Sequence, residues 1–500
     1  MQLKEIVAQL DPLSVEGTLD RDIAGITYDS RRVTPGMLFV AVPGRHVDGH
    51  HFIPDAIDRG AAGVVCEHNG FVSARAARIR VADCRAALAR AAAVFYDFPS
   101  RKIKVIGVTG TNGKTTVAFM IKHLLESAGI PTGLLGTIRY EIGERVIPAQ
   151  RTTPESLEIQ QMMAQMVRAG CQTCVMEVSS HALEQKRVQG VEFDVAVFTN
   201  LTQDHLDYHG TMESYFAAKT RLFTALRSAC KKSGAVINID DPFGDRLQGQ
   251  SRLEVLLTYG LAQSAQVRAS GIELGRDGTR LTLETPAGSW PCHLPLLGRH
   301  NIYNALAAVG AGLVLEMKPA RIVEALRDLP AVPGRLESIQ EGQPFAVLVD
   351  YAHTDDALKN VLRTLREITP GRLLLAFGCG GNRDAGKRPK MGRVAAEQAD
   401  LTVLTSDNPR KESAALIARQ IEIGYREVRN DGLQIELDRR RAIDDLIRLA
   451  RAGDAVLIAG KGHETYQEFE DTIVPFDDRV YARETLEALG YVADHQSKVA

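Results

Sequence analysis

The segment Val105-Ile-Gly-Val-Thr-Gly-Thr-Asn-Gly-Lys-Thr-Thr116 joins a strand-like run to a helix-like one, in which Val117, Met120, Ile121, Leu124 and Leu125 fall at helical spacing up to Gly129. A glycine-rich turn in that position offers backbone N–H groups and a positive helix end to phosphate oxygens. Lys114 would neutralise the β and γ phosphates, and Thr115 would ligate Mg²⁺. The common phosphate-loop pattern asks for glycine where this chain has Val108, with glycines instead at 107 and 110. Without that function the segment is a glycine turn before an ordinary helix.

Glu177 closes the strand-like run CVMEVSS, and His205 follows DVAVFTN in the loop NLTQDHLDYHG. An acid and an imidazole at adjacent strand ends, beside a phosphate loop, suit a Mg²⁺ that bridges phosphates to a second anion. The plainer reading is a solvated acid and a helix cap. Lys219, in YFAAKTRLF, lies at helical spacing from Tyr215, Phe216 and Phe223. By pattern alone it is a lysine whose stem follows a partly apolar face. Thr405-Ser-Asp-Asn-Pro-Arg410 is a turn signal that carries a guanidinium, and such a fork binds a carboxylate bidentately.

Positioning these groups takes several domains. With 500 residues the chain exceeds what one core supports, so two to four domains are expected, three as a first count. A hydrophobic fraction of 45% and a charged fraction of 24% describe a soluble globular protein. The net charge of -2 argues against a polyanion-binding surface, and nucleic acid is excluded as a partner. The start MQLKEIVAQLDPL lacks the pattern of a signal peptide and no later run suits a membrane span, so a cytoplasmic location without membrane insertion is expected. Seven scattered cysteines read as buried thiols, since Cys171 and Cys174 have no second pair to complete a zinc site.

The elements divide accordingly. Residues 1–98 mix strands (25–28, 37–42, 63–66) with a helix over 84–96, a small mixed α/β domain. Residues 99–332 alternate apolar strands with helices, which implies a parallel sheet covered on both faces, with a β-hairpin around Asp277-Gly278 appended. Residues 333–500 repeat a doubly wound, Rossmann-like pattern through FAVLVDYAH, RLLLAFGCGG, LTVLTSDNPR and DAVLIAGKGHE. Each of these strands ends in a polar or glycine loop, the rim where open α/β sheets bind ligands.

Gly110-Thr-Asn-Gly-Lys-Thr-Thr116 resembles the shortened phosphate loop of the Mur ligase and folylpolyglutamate synthetase superfamily, which accounts for Val108. EVSSH and TNLTQDHLDYHG look like that family's magnesium-site segments, and the similarity runs over essentially the whole chain. The resemblance implies that Gly110, Thr111, Asn112, Gly113, Lys114, Thr115 and Thr116 hold ATP as co-substrate. It places one Mg²⁺ on Thr115, Glu177 and His205, and a second Mg²⁺ on a carbamylated Lys219. It further implies that Asn301 meets adenine, Asp350 the ribose and Arg335 the γ-phosphate. One local departure is Asp355, where the family has proline.

On the substrate side, the resemblance assigns Tyr28, Ser30, Gly44, Arg45 and His46 to the uridine diphosphate, and Thr152, Thr153, Ser179, Gln185 and Arg187 to a muramoyl dipeptide. Arg383, Asp407, Asn408, Pro409, Arg410, Gly460 and Glu464 would bind the incoming amino acid. The motif ending in Arg410 looks like that of diaminopimelate-adding members. Lysine lacks the distal carboxylate, so it would leave the guanidinium unpaired. The implied reaction is ATP-dependent addition of meso-diaminopimelate to UDP-N-acetylmuramoyl-L-alanyl-D-glutamate through an acyl phosphate, by a monomer, with catalysis by Lys114, Lys219, His205 and Arg335. Closure of the third domain about residues 331–340 is expected. A lysine-adding ligase and a folylpolyglutamate synthetase are the alternatives within the superfamily. Outside it stands a nucleotide switch that makes no bond.

Overall fold

The computed structural model describes residues 1–44, 47–68, 75–226, 231–251, 253–275 and 278–492. It falls into two compact units, one of residues 1–265 with 307–318, the other of residues 266–306 with 319–500.

The first unit begins with a five-stranded sheet in the order 14–16, 77–80, 63–66, 37–40, 25–27, parallel except for its first edge. Asp83 starts the helix Cys84–Phe95 by accepting from the Ala86 N–H at 2.9 Å, a neutralised orphan donor of the helix end. Ala87, Leu88, Ala91 and Ala92 on that helix enter the core with Leu38, Val65 and Ile79.

The second sheet of this unit runs 255–260, 234–238, 195–198, 104–109, 173–177, 132–135, all parallel, and continues into an antiparallel edge of 139–142 and 145–148. The strand Lys104–Thr109 comes first in the chain, yet later strands flank it on both sides. That reversal of winding opens a crevice at its carboxyl end. Gly110 and Asn200 follow strands that end there, and Glu177 is the last residue of a third.

In the second unit, strands 346–350, 455–459, 373–377, 401–404 and 433–435 are parallel neighbours in that order, with 337–339 antiparallel at the edge. Leu348, Leu375 and Leu457 pack into one core while Val347, Leu374 and Val456 pack into another. Burial on both faces explains why these strands read as unbroken apolar runs. The expected hairpin is a three-stranded antiparallel piece, Val267–Gly275, Gly278–Thr285 and Gly288–Leu294. Asp277 of its turn lies outside the described residues.

At Asp355 the helix Asp355–Ile368 starts without proline, because Thr354 Oγ1 accepts from the Ala357 N–H at 3.2 Å. Within the segment read as a hinge, the Leu336 N–H donates to Asp350 at 2.7 Å and the Gly334 N–H to Glu337 at 2.7 Å. The described cysteines, Cys66, Cys84, Cys171, Cys174, Cys292 and Cys379, are all buried free thiols. Among the described residues no helix is long and apolar enough to cross a membrane.

Candidate active site

The phosphate loop links Lys104–Thr109 to the helix Lys114–Ser127. Gly110 has φ 150°, and a Cβ there would stand 1.8 Å from Thr199 Oγ1. Only glycine permits that approach. The loop is stitched to the neighbouring strand end: the Thr111 N–H donates to Asn200 O at 2.9 Å, the Asn112 N–H to Asn200 Oδ1 at 2.9 Å, and Thr199 Oγ1 to Asn112 O at 2.6 Å. Lys114 Nζ folds over the loop and donates to Gly110 O at 3.0 Å and Thr111 O at 2.8 Å. Thr115 and Thr116 are buried at the first turn of the helix.

Glu177 is fully buried, and its carboxylate accepts from Thr115 Oγ1 at 2.9 Å, the Thr137 N–H at 2.8 Å and Thr137 Oγ1 at 2.9 Å. These donors are neutral. Lys219, on the helix Met212–Leu226, is also buried and donates to Gly110 O at 2.8 Å, with its Nζ 4.5 Å above the Tyr215 ring. Burial first, and the nearby Lys114 charge second, hold its amine well below the ordinary lysine range. His205 takes a left-handed φ of 53° at the start of a four-residue helix, and its Nε2 lies 3.3 Å from Asp204 Oδ2. Burial lowers its pKa, with Lys114 and Lys219 adding to the effect. His181 and His205 meet edge to face at 4.8 Å between ring centres.

The residues expected against a muramoyl dipeptide lie together beside Glu177. Thr153 Oγ1 donates to Glu177 O at 2.8 Å and accepts from the Ser179 N–H at 3.0 Å, while Thr137 Oγ1 and Thr152 Oγ1 lie within hydrogen-bond distance at 3.1 Å. Arg187 donates to Thr153 O at 3.1 Å and to Gln185 Oε1 at 2.7 Å, and pairs with Glu155 at 3.1 Å. Tyr28 donates to Glu158 Oε1 at 2.9 Å, and Ser30 is buried in a short helical turn. The Gly44 N–H closes a turn onto Val47 O at 3.1 Å, and Arg45 and His46 lie outside the described residues.

In the second unit, Asn301 is buried, donates to Leu297 O at 2.9 Å and accepts from Asn304 at 3.0 Å. The Arg335 guanidinium lies 4.5 Å above the Tyr351 ring. Asp350 accepts from the Leu336 and Ala352 N–H groups, both at 2.7 Å, so it clamps its own strand end to the turn that carries Arg335. Burial pushes its carboxyl up, opposed by Arg335 and these two bonds.

The loops expected to bind the incoming amino acid meet at the strand ends of the same unit. Asn408 is the hub: its Nδ2 donates to Glu464 Oε2 at 2.8 Å, and its Oδ1 accepts from Lys461 Nζ at 3.0 Å and the Glu468 N–H at 3.0 Å. Gly460, with φ 110°, lets Asp407 approach, since a Cβ would stand 2.7 Å from Asp407 Oδ2. Arg410 donates from Nε to Glu468 Oε2 at 2.7 Å and from Nη1 to Gly381 O at 2.9 Å. Pro409 lies between these groups, and its carbonyl accepts from the Glu412 N–H at 3.0 Å. Arg383 is exposed on the loop after Gly380, where a Cβ would meet both Arg410 Nη1, at 3.1 Å, and Arg383 Cγ, at 3.8 Å.

Family models match most of the chain: a Mur ligase middle domain over residues 108–312, a Mur ligase glutamate ligase domain over 334–462, and a Mur ligase family catalytic domain over 22–96. The chain belongs to the Mur ligase family. Curated relatives include a UDP-N-acetylmuramoyl-L-alanyl-D-glutamate--2,6-diaminopimelate ligase of Geobacter metallireducens, 47% identical, covering 96% of this chain and 97% of the relative. Another ligase of that description, from Solibacter usitatus, is 45% identical and covers both chains in full. A solved structure of a ligase so described is 33% identical, with a TM-score of 0.71, covering 98% of this chain and 100% of the other. A Mycobacterium tuberculosis folylpolyglutamate synthase shares the fold at 18% identity and TM-score 0.60, covering 76% of this chain and 93% of the other.

Several residues that shape the site of this Mur ligase escaped the sequence reading. Thr137 follows a strand, Thr132–Leu135, that the pattern had not marked. Lys461, fully buried, bonds both Asn408 and Glu464, the latter at 3.1 Å. Its spacing from Glu464 in GKGHE is the signal that could have found it. Arg388, also buried, grips Glu412 through both terminal nitrogens at 2.8 and 3.0 Å and fixes the loop after Gly380. Nothing in the sequence pointed to Glu468.

Proposed function

We propose that this Mur ligase adds meso-2,6-diaminopimelate to UDP-N-acetylmuramoyl-L-alanyl-D-glutamate, with ATP as co-substrate, in the synthesis of peptidoglycan precursors. The reading rests above all on one observation: a guanidinium, Arg410, and a carboxylate, Glu464, are held through neighbouring atoms of one loop cluster, as a zwitterionic side-chain end requires. The names of near-full-length relatives agree with it.

In the reaction, the γ-carboxylate of D-glutamate attacks the γ-phosphate of ATP and ADP leaves, giving an acyl phosphate. The amine of diaminopimelate then attacks the acyl carbon, loses a proton and expels phosphate. Phosphoryl transfer asks mainly for placement and charge neutralisation. Lys114 would release its two loop carbonyls to face phosphate oxygens, and the N–H groups at the helix start, residues 113–116, would cradle them. Arg335 would stabilise charge on the transferring group, Asn301 and Asp350 would hold adenine and ribose, and Arg187 would orient the dipeptide with Thr152, Thr153, Ser179 and Gln185. Tyr28, Ser30, Gly44, Arg45 and His46 would take the uridine diphosphate. Arg383, Asp407, Asn408, Pro409 and Gly460 would complete the acceptor pocket.

The residues present fit Mg²⁺. Glu177 is a fully buried carboxylate whose partners are neutral, an arrangement that a cation would complete. Among the described residues no three His, Cys, Asp or Glu side chains converge as a cage, which suits an ion that takes much of its shell from water and phosphates. Thr115, Glu177 and His205 would hold one ion and Lys219, as its carbamate, a second, and together they would supply charge neutralisation to the phosphates. A neutral Lys219 amine is the form that reacts with CO₂. We also propose domain limits of 1–98, 99–332 and 333–500, a pivot within 331–340, a cytoplasmic monomer, and no nucleic-acid partner.

Phosphate release from ATP with the UDP-muramoyl dipeptide tests the reading, comparing meso-diaminopimelate with L-lysine. Turnover with diaminopimelate that falls at least 100-fold in Arg410→Ala is expected, on the scale of a lost polar recognition group. Preference for lysine would overturn the acceptor assignment, and no turnover with either would overturn the reaction.

A further inference from the structure

Lysine would strand the Arg410 guanidinium only if that guanidinium had no other anion to face. The structure supplies one. Glu468 Oε2 accepts from Arg410 Nε at 2.7 Å. The pairing is set by the main chain rather than by a side-chain choice. The Arg410 N–H donates to Glu468 O at 3.0 Å, the Glu470 N–H donates to Arg410 O at 2.7 Å, and Arg410 bridges in parallel to Phe469. The Glu468 N–H is tied in turn to Asn408 Oδ1 at 3.0 Å. On the other side, Gly381 O takes the Nη1 hydrogen at 2.9 Å, and the Gly381 N–H is anchored on Asn408 O at 2.9 Å. The fork is therefore bracketed, with Nε and one Nη1 hydrogen used. Nη2 has no partner among the described residues. What is left free is the outer edge formed by the two terminal nitrogens, which takes a carboxylate end-on.

We propose that Glu468 is a resident counter-ion of the acceptor pocket, which orients the Arg410 fork for an incoming carboxylate and limits how strongly that fork discriminates between acceptors. The inference rests on the assignment of Arg410 to the distal carboxylate of diaminopimelate. With lysine bound, Arg410 keeps Glu468 as partner, so the penalty for the missing carboxylate is only part of that of a stranded charge. With diaminopimelate bound, the substrate carboxylate shares its cation with Glu468 and is repelled by it. Glu468 is thus a positioning residue whose charge lowers selectivity while its geometry serves it. It also gives Arg410 an anion to return to when product departs.

The test compares Glu468→Gln with Glu468→Asp, each alone and on an Arg410→Ala background, measuring kcat and KM for meso-diaminopimelate and for L-lysine. Glutamine keeps an oxygen for Nε but removes the charge. Because the pair is partly exposed, the expected change is modest: KM for diaminopimelate falls and the diaminopimelate-to-lysine ratio of kcat/KM rises by about fivefold. Aspartate keeps the charge and is expected to leave the ratio within about twofold. With Arg410 absent, Glu468→Gln is expected to leave the ratio unchanged. A ratio that stays the same or falls in Glu468→Gln, a rise as large in Glu468→Asp, or a rise that persists without Arg410 would each overturn the proposal. Failure of the functional reading looks different: wild-type enzyme would then show no preference for diaminopimelate, or keep it in Arg410→Ala.

Discussion

Arg439 and Asp478 form an ion pair with both side chains wholly screened from solvent, Nε to Oδ1 and Nη2 to Oδ2 at 2.7 Å each. The same guanidinium donates to Ser406 O at 3.3 Å and Ala459 O at 3.0 Å. Those carbonyls begin the two loops that carry Arg410 and Glu464. One buried fork therefore fixes the spacing of the two strand ends on which the acceptor pocket is built. Removing its partner leaves a charge without compensation in an apolar layer, so Asp478→Ala is expected to cost about 3–5 kcal/mol in urea unfolding. A well-packed apolar replacement of both, Arg439→Met with Asp478→Leu, should cost less in stability yet still raise KM for diaminopimelate. Equal losses in the single and double variants would contradict this.

Gly110 makes a second, sharper prediction. A methyl group there collides with Thr199 Oγ1, and that oxygen is committed to Asn112 O at 2.6 Å. Gly110→Ala must displace the phosphate loop from the strand end beside it. A shift of about 1 Å in a positioning element costs on the order of 100-fold, so kcat/KM for ATP should fall by about that factor while the thermal transition is kept. A fall below threefold would show that the loop yields at no cost.

Lys219 is buried and its amine is held well below the ordinary lysine range, which favours the neutral form that takes up CO₂. Enzyme equilibrated with ¹³C-bicarbonate should show one carbamate resonance that Lys219→Arg lacks, because guanidinium stays protonated. Turnover of that variant should drop by at least about 100-fold, the scale of a lost charge-stabilising group. An unchanged spectrum between the two proteins would rule out the modification.

Stability should also depend on pH through His300. Burial alone pushes its pKa down to about 4 from the ordinary histidine value of 6.5. The folded protein keeps the ring neutral where the unfolded chain takes up a proton, so unfolding binds a proton between those values. The contribution is full above about pH 6.5 and is lost as pH falls towards 4, by about 1.4 kcal/mol per unit. His300→Leu should flatten the urea-unfolding profile in that window and leave it unaltered at pH 8. A parallel pair of profiles would exclude His300 as the cause.

The parallel strands around the phosphate loop were legible because burial on both faces makes continuous apolar runs, and because Gly110 and Gly113 mark the turn from strand to helix. The four strands of the second unit were legible for the same reason. Thr132–Leu135, short and glycine-containing, gave no such run, so Thr137 went unseen as a partner of Glu177. Lys461 and Glu468 were missed on other grounds. A cation and an anion in a surface-like stretch read as solvated, and only the turn of the hairpin Tyr466–Phe469 and Thr472–Pro475 against residues 406–410 brings them inward. The resemblance to a family proposed groups to meet ligands and left out those that hold such groups in place.

The burial of the cysteines has a practical side. Burial raises the Cys66, Cys84 and Cys174 thiols, and pushes Cys292 up to about 11 and Cys379 up to about 12. Thiols that stay protonated and enclosed react slowly with maleimides. With Cys230 replaced, a cysteine introduced at an exposed helical position of each compact unit, such as Glu126 and Arg419, would take up dye ahead of the native thiols. The chain thus comes prepared for two-colour fluorescence, in which the separation of its two units is followed through a catalytic cycle without stripping its core of sulfur.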